Sequence, residues 1–539
     1  MKKIGILFTM LSLSLFAGVN IKNGNFYYTF VDITVPGSAV KFEIKRTYNS
    51  KTTETGWFGY GWGSRYETKL VVSSDGSVIV HENGAGARTR FVPKGAIDGK
   101  AAAKKIIAAM KKKTKLTGKA EKDLLKKLSN FEELRHIYSR NYNVKASIKK
   151  GSVLTSNTRG IQTLEKTKKG YIRKQSDGQW DYFNEKGQLS KVKYKSGYYV
   201  DLKYEKGALY SLKNSEGKQI FFEFGGNGFV KKIWSAKDKV ATYKFKDDEL
   251  IRMKNVWSST FTHKYDKNKN MLEIGYKDGT TQKMKYHPKT LDLIEIIDRN
   301  KESTKYKYTK NSKKPELHYW TEVTRKGFAG KPVTNKYEYE LKIKKDGSRY
   351  TYRIMTDING LRTETVYSEC CSLPLKISRG KHVTNFEYNK RGLLTKKTST
   401  KGEFVQIEYH KTFDKISKVT NKSGWTEFSY NKKQNLIKAV SSKGSAVLLI
   451  YDSKSKITTM VDQNQKTKKK RKLAFKYNAM GKPVEILMDK VGKINVTYDN
   501  YGEIKNVESK QGSKMAIQVT QAFQNLLSIV KPAGVNLNI

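Results

Sequence analysis

Aromatic residues in this chain fall on a ruler. Tyr388, Tyr409, Tyr430 and Tyr451 lie 21 residues apart, and each closes a short alternating run: NFEY, QIEY, EFSY, LLIY. Tyr477 and Tyr498 are again 21 apart, after a longer step that holds the basic run KTKKKRK. Upstream, Phe183, Tyr204, Phe224, Phe245, Tyr265, Tyr286 and Tyr308 step by 21, 20, 21, 20, 21 and 22. A fixed period in this range decides architecture ahead of local propensity, because repeated units bury their faces against their neighbours. Thirteen marks imply one continuous repeat body, where 539 residues would otherwise allow three or four ordinary domains.

The punctuation says what one unit is. After the aromatic come turn residues closing near Gly (NKRG, NAMG, DNYG, NEKG), then a second run, then a turn closing on Gly402, Gly424, Gly444 or Gly512. Two turn signals about ten residues apart bracket a β-hairpin, with Gly supplying the positive φ of tight turns. Along NFEY, Phe386 and Tyr388 share one face while Asn385 and Glu387 share the other. One face is aromatic and the other is polar and rich in Lys. The aromatics read as the inner layer of a sheet and singly carry no chemistry.

Tyr followed by Asp or Asn, a Gly-closed turn and a Leu-containing strand resembles the YD repeat of the Rhs family, most closely in YDSKSKI at 451 and YDNYGEI at 498. A second stretch, residues 31 to 70, resembles the domain that opens many Rhs and wall-associated YD-repeat proteins. Its marks are Pro36, Arg46, Thr47, Tyr48, Asn49, Ser50, Gly59, Gly61 and Trp62. The resemblance covers about three quarters of the chain. It implies a mainly β fold, a spiral β-sheet shell of hairpin repeats. It departs from full-length Rhs toxins, which continue into a self-cleaving segment with a DPxGL-type signature: no Asp-Pro occurs here, and only 27 residues follow Gly512.

The expected organisation has seven parts. Residues 1–18 read as a secretory signal peptide, with two Lys and an apolar run from Ile4 to Ala17 that is too short to span a bilayer. Residues 19–96 form the opening β domain. Residues 97–146 read as a helical insertion, with Ile106, Ile107 and Met110 on one face, Leu124, Leu125 and Leu128 on another, and Leu134, Ile137 and Tyr138 beyond. Ser129 with Glu132 has capping-box spacing, which predicts a helix start near Asn130. The first array spans 147–308. An irregular β section, 309–384, keeps strands, loses the ruler and ends on the cysteine pair. The second array spans 385–512, and 513–539 read as a capping helix, with Met515, Val519 and Phe523 on one stripe.

Two cysteines, Cys370 and Cys371, exclude a disulfide framework and leave three options: a vicinal bridge, bonds to partner chains, or free thiols. The seven His are scattered, and no HExxH, GxSxG, P-loop or strand-to-helix GxGxxG occurs. The expectation is no enzyme, no cofactor, no metal site and no transmembrane segment in the mature protein. Lys and Arg number 106 against 50 acidic residues, a net charge of +56. Such charge serves solubility and edge protection, or attracts polyanions such as glycan or lipopolysaccharide. Lys far outnumbers Arg, and no nucleic-acid motif appears, so a dedicated nucleic-acid partner is not expected.

Taken with the resemblance, these features point to a secreted protein of the periplasm or surface of a Gram-negative bacterium, binding polyanionic surface material or mediating cell contact. The alternative is one component of an Rhs-type effector system enclosing a peptide or separate small cargo. Thirteen hairpins, about 26 strands at about 4.8 Å each, would close once into a ring about 40 Å across with a void of about 20 Å.

Overall fold

The computed structural model describes residues 16–530 apart from 36–39, 85, 96, 157–160, 176, 237–238, 327–329, 345–348, 371, 454, 465–466, 479–480, 489–490, 499–503 and 510–511. The fold is mainly β. Among the described residues, 33 strands from Val153–Ser156 to Ile504–Ser509 form one antiparallel sheet, in which every strand pairs with its neighbours in the chain. Most of the predicted leader lies outside the described residues, but Phe16–Asn20 is a strand paired in register with Asn25–Val35.

Nearly every hairpin repeats one irregularity. At twelve of the thirteen aromatic marks the pairing register shifts at the aromatic itself. At Tyr204, for example, Tyr210 is left over between Leu209, which faces Tyr204, and Ser211, which faces Lys203. Such a bulge bends the strand and raises its twist. Repeated once per unit, it curls the ribbon. The exception is Tyr308, which pairs straight through opposite Thr321.

The residue after the mark explains the preference for Asp or Asn. Asn389 Oδ1 accepts the Leu393 N–H at 3.1 Å, and Asp452 Oδ1 accepts the Lys456 N–H at 2.8 Å, so a side chain closes the turn. The Tyr hydroxyl then ties one unit to the last. Tyr204 donates to the Leu189 carbonyl, Tyr409 to Leu394, Tyr430 to Ile416, Tyr451 to Leu436 and Tyr498 to Pro483, at 2.7 to 2.9 Å. Each acceptor is the residue that faced the preceding mark across its bulge.

Strands far apart in order become neighbours in space. A methyl on Gly392, before the sheet's 23rd strand, would lie 3.6 Å from Ile161 Cδ1, before its second. Lys415, between the 24th and 25th strands, meets Lys195, between the fifth and sixth; burial first, and then Lys195, lowers the Lys415 pKa to about 8. The sheet is therefore a spiral of about twenty strands per turn, with a girth of about 96 Å and a diameter of about 30 Å. This replaces the single wider ring expected from thirteen hairpins.

The interior is occupied by the chain itself. Phe26, Phe30, Tyr48 and Trp62 of the N-terminal sheets share one core with Leu202, Ile233, Met253 and Ile274 of the first array. In the second array, Met515, Ala522 and Phe523 of the helix Gly512–Val530 pack against Leu449, Met460 and Leu473. The insertion is three helices: α1 (Gly99–Lys111), α2 (Gly118–Asn130) and α3 (Glu132–Asn141). The Ser129–Glu132 capping box does not form. Ser129 lies in the last turn of α2, where its Oγ donates to the Leu125 carbonyl at 2.7 Å, and Phe131 is the N-cap of α3.

Candidate functional site

The opening motif faces inward. Arg46 Nε donates to both Asp32 oxygens at 3.0 and 3.1 Å, and both side chains are 0% exposed. Tyr243, from the first array, donates its hydroxyl to Asp32 Oδ2 at 2.7 Å. The guanidinium lies 4.4 Å from the Phe30 ring centre and 4.3 Å from that of Trp62, a cation between two aromatic faces. Trp62 Nε1 donates to Tyr265 Oη at 3.0 Å, and Tyr48 Oη accepts the Met271 N–H at 3.0 Å. Thr47 exchanges a hydroxyl bond with Thr29, Asn49 N–H donates to the Gly61 carbonyl, and Ser50 Oγ accepts the Phe26 N–H. Gly59 and Gly61 have φ of +93° and +81°, and a Cβ on Gly61 would stand 2.6 Å from the Tyr48 ring. Pro36 lies outside the described residues.

This domain also satisfies donors at the bulges. The Val230 and Leu293 N–H groups, opposite Phe224 and Tyr286, donate to the carbonyls of Trp57 and Gly24. The motif thus joins the N-terminal domain to the first array through buried contacts of Arg46, Tyr48 and Trp62. The aromatic marks are likewise inward. Phe183, Phe224 and Phe245 fill the position without a hydroxyl, Tyr286 is half-buried with its hydroxyl beside Ser50, and Tyr265, Tyr308, Tyr388 and Tyr477 donate to the carbonyls of Leu250, Leu293, Pro374 and Ile457.

Along the seam, a cleft of about 310 Å³ opens between the N-terminal domain and the first array, lined among others by Glu54, Glu67, Lys69, His81, Gln188 and Tyr204. Burial pushes the Glu67 carboxyl up to about 8, against the backbone N–H bonds it accepts from Trp57 and Ser64. Burial likewise depresses His81 to about 3 and His136 to about 4, with neighbouring positive charge adding to it. Their Nε2 atoms are 3.1 Å apart, and His136 Nδ1 lies 2.9 Å from Ser73 Oγ. This line holds a hydroxyl and two imidazoles, but Ser73 is its buried end and does not line the cleft. It docks α3 onto the sheet Lys69–Phe91.

Sequence reasoning missed this pair, since residues 55 positions apart on a strand and a helix leave no local signal. It also missed Tyr367, which does carry one: it stands 21 residues before Tyr388, has the same register shift, and faces Pro374, whose carbonyl receives the Tyr388 hydroxyl. The ruler thus resumes inside the section read as irregular. Among the described residues, His318, Glu338 and Glu340 are placed closely enough to share a metal, but Lys336 and Arg353 already pair with the two carboxylates. Cys370 is disulfide-bonded, and Cys371 lies outside the described residues.

The basic side chains are unevenly engaged. On the sheet, Lys264, Lys285, Lys418 and Lys476 each reach a Glu on the next strand at 2.7 to 2.9 Å, a cross-strand pair repeated along the wall. A second cleft, about 570 Å³, lies at the hairpin tips of the second array, with Lys397, Lys422, Lys443, Trp425 and Ser442 in its lining.

Residues 17–91 match a family described as a domain of unknown function, DUF6531. No curated protein matches the chain. Among solved structures, TcdB2-TccC3-TEV is similar with a TM-score of 0.37 and 9% identity, over 95% of this chain and 30% of that one. TcdB2-TccC3 without its hypervariable C-terminal region gives 0.37 and 9%, over 92% and 30%. The Photorhabdus luminescens Tc holotoxin pore gives 0.33 and 9%, over 90% and 28%. The chain spans less than a third of the length of these structures. Its own geometry is a bulged hairpin with an inward aromatic and a hydroxyl clamp, repeated along one coiled antiparallel β-sheet.

Proposed function

We propose that this chain is a non-enzymatic YD-repeat shell protein, exported to the bacterial envelope or surface, that binds polyanionic glycan or lipopolysaccharide and so mediates contact with cells. The observation that carries this reading is the net charge of +56: with 106 Lys and Arg against 50 acidic residues, more than half of the basic side chains have no acidic counterpart in the chain. Its repeat-mark aromatics and described motif residues pack into the fold, which favours the charged exterior as the part that meets a partner. Among the described residues no helix is long and apolar enough to cross a membrane.

A second reading, a component of an effector system, draws on the coiled sheet. The N-terminal domain and the C-terminal helix fill much of its interior. Clefts of about 310 and 570 Å³ suit a small molecule or a short peptide and exclude a folded domain. Binding of the purified protein to intact bacterial cells and to lipopolysaccharide, followed across a salt series, tests the first reading. Saturable binding that weakens steeply with salt is expected. Absence of binding at low salt refutes it.

A further inference from the structure

One helical element carries a dense block of charge, apart from the basic run KTKKKRK of the second array. Residues 100–127, covering α1, the following loop and α2, hold eleven Lys against Glu121 and Asp123, and all eleven Lys are exposed. Lys111 pairs with Glu121 at 2.7 Å; the other ten have no ion pair among the described residues. This differs from the wall, where strand neighbours supply Glu to Lys. Here the helices offer one such partner, Glu121, to eleven Lys.

Their arrangement follows from the 3.6-residue period. In α1, Ala102, Ala103, Ile106, Ile107 and Met110 are buried, while Lys100, Lys104 and Lys111 form a stripe within about 40° of arc. In α2, Leu128 is buried, and Lys119, Lys122 and Lys126 run along the far side. Lys112, Lys113 and Lys115 occupy the loop that joins them. Each helix is about 20 Å long, so the charges crowd onto one short hairpin instead of radiating from a cylinder.

We infer that the α1–α2 hairpin is a docking element for an anionic lipid surface. The inference rests on the polyanion reading and gives it a place and a partner. The patch contains no Arg, the residue suited to planar bidentate contact with a phosphate, and its stripes carry no aromatic or amide side chain to stack on or read a base. Lysines without directional partners suit a flat array of headgroups, where each contributes about fivefold in affinity. The apolar faces of both helices are turned into the lobe's own core, so contact is peripheral, without insertion.

The test is co-sedimentation of the full chain with vesicles of neutral phosphatidylcholine and with vesicles containing phosphatidylglycerol, at low and physiological salt. A lobe variant carries Lys104→Gln, Lys105→Gln, Lys112→Gln, Lys113→Gln and Lys126→Gln. A wall variant of equal charge change carries Lys264→Gln, Lys285→Gln, Lys307→Gln, Lys418→Gln and Lys476→Gln. Anionic vesicles should bind the native chain, the lobe variant should lose at least ~100-fold, and the wall variant less than ~5-fold. Equal losses overturn the lobe assignment and leave the polyanion reading standing. Binding to cells or lipopolysaccharide without binding to vesicles overturns the lipid partner alone. Tighter binding to duplex DNA than to anionic vesicles overturns it in favour of nucleic acid. Circular dichroism of both variants checks that the fold is kept.

Discussion

Asp32→Asn is the most informative single change. It leaves the Arg46 guanidinium, fully buried between Phe30 and Trp62, without its counter-charge, while the amide oxygen it introduces can still accept the Tyr243 hydroxyl. Breaking a buried pair by removing one partner costs about 3–5 kcal/mol, because the survivor cannot regain its water. Replacing both ions removes that penalty, so Asp32→Asn with Arg46→Met should cost at least ~2 kcal/mol less than Asp32→Asn alone. Urea unfolding followed by intrinsic fluorescence reads this out. The N-terminal domain and first array share one core and should unfold as a unit. A loss below ~1 kcal/mol for the single variant, or a double variant no better than the single, refutes the reasoning.

Two further outcomes follow from the geometry. Tyr430→Phe keeps the ring and removes the 2.8 Å bond to the Ile416 carbonyl, and it should cost ~1 kcal/mol, seen as faster amide exchange in Ile416–Asn421; a loss above ~3 kcal/mol would show that packing, and not the clamp, was disturbed. His81 and His136 titrate at about 3 and about 4 in the fold, below the ordinary ~6.5, amid Arg88, Arg140, Lys69, Glu54 and Asp75. The unfolded chain therefore takes up protons that the fold refuses. Stability should fall as pH drops from ~6.5 towards ~4, and His136→Gln should flatten that fall by about one proton. An unchanged pH profile of the melting temperature would remove the pair from the acid response.

The repeat was legible because the bulged hairpin keeps an aromatic at the bulge in nearly every unit and often Asp or Asn after it, as at Asn184, Asp266, Asn389, Asn431, Asp452 and Asn478. The ruler failed between Tyr308 and Tyr367 because the strands there lengthen, as in Pro332–Ile343 at 12 residues, and Tyr308 lacks the bulge. The spiral's pitch was not legible, since it sums small twists over about twenty strands. The opening motif was legible as residues and not as contacts: the bond from Tyr243 to Asp32 joins positions 211 apart. The basic hairpin was visible as composition, but that a single Lys of its eleven, Lys111, finds an acidic partner among the described residues appears only in the structure.

Successive turns of the spiral meet at their hairpin tips, as Lys195 meets Lys415 and Ile161 meets Gly392. Growth is then constrained in one dimension. Girth is set by the twist each bulge contributes, so extra units added at the end of the ribbon would make the cylinder taller and leave its bore unchanged. A gain or loss of whole 21-residue units preserves both the alternation of faces and the tip-to-tip stacking, whereas half a unit would turn the next Tyr's reach away from its carbonyl. Length in such a wall can drift by copying, while diameter can change only if the bulges themselves do.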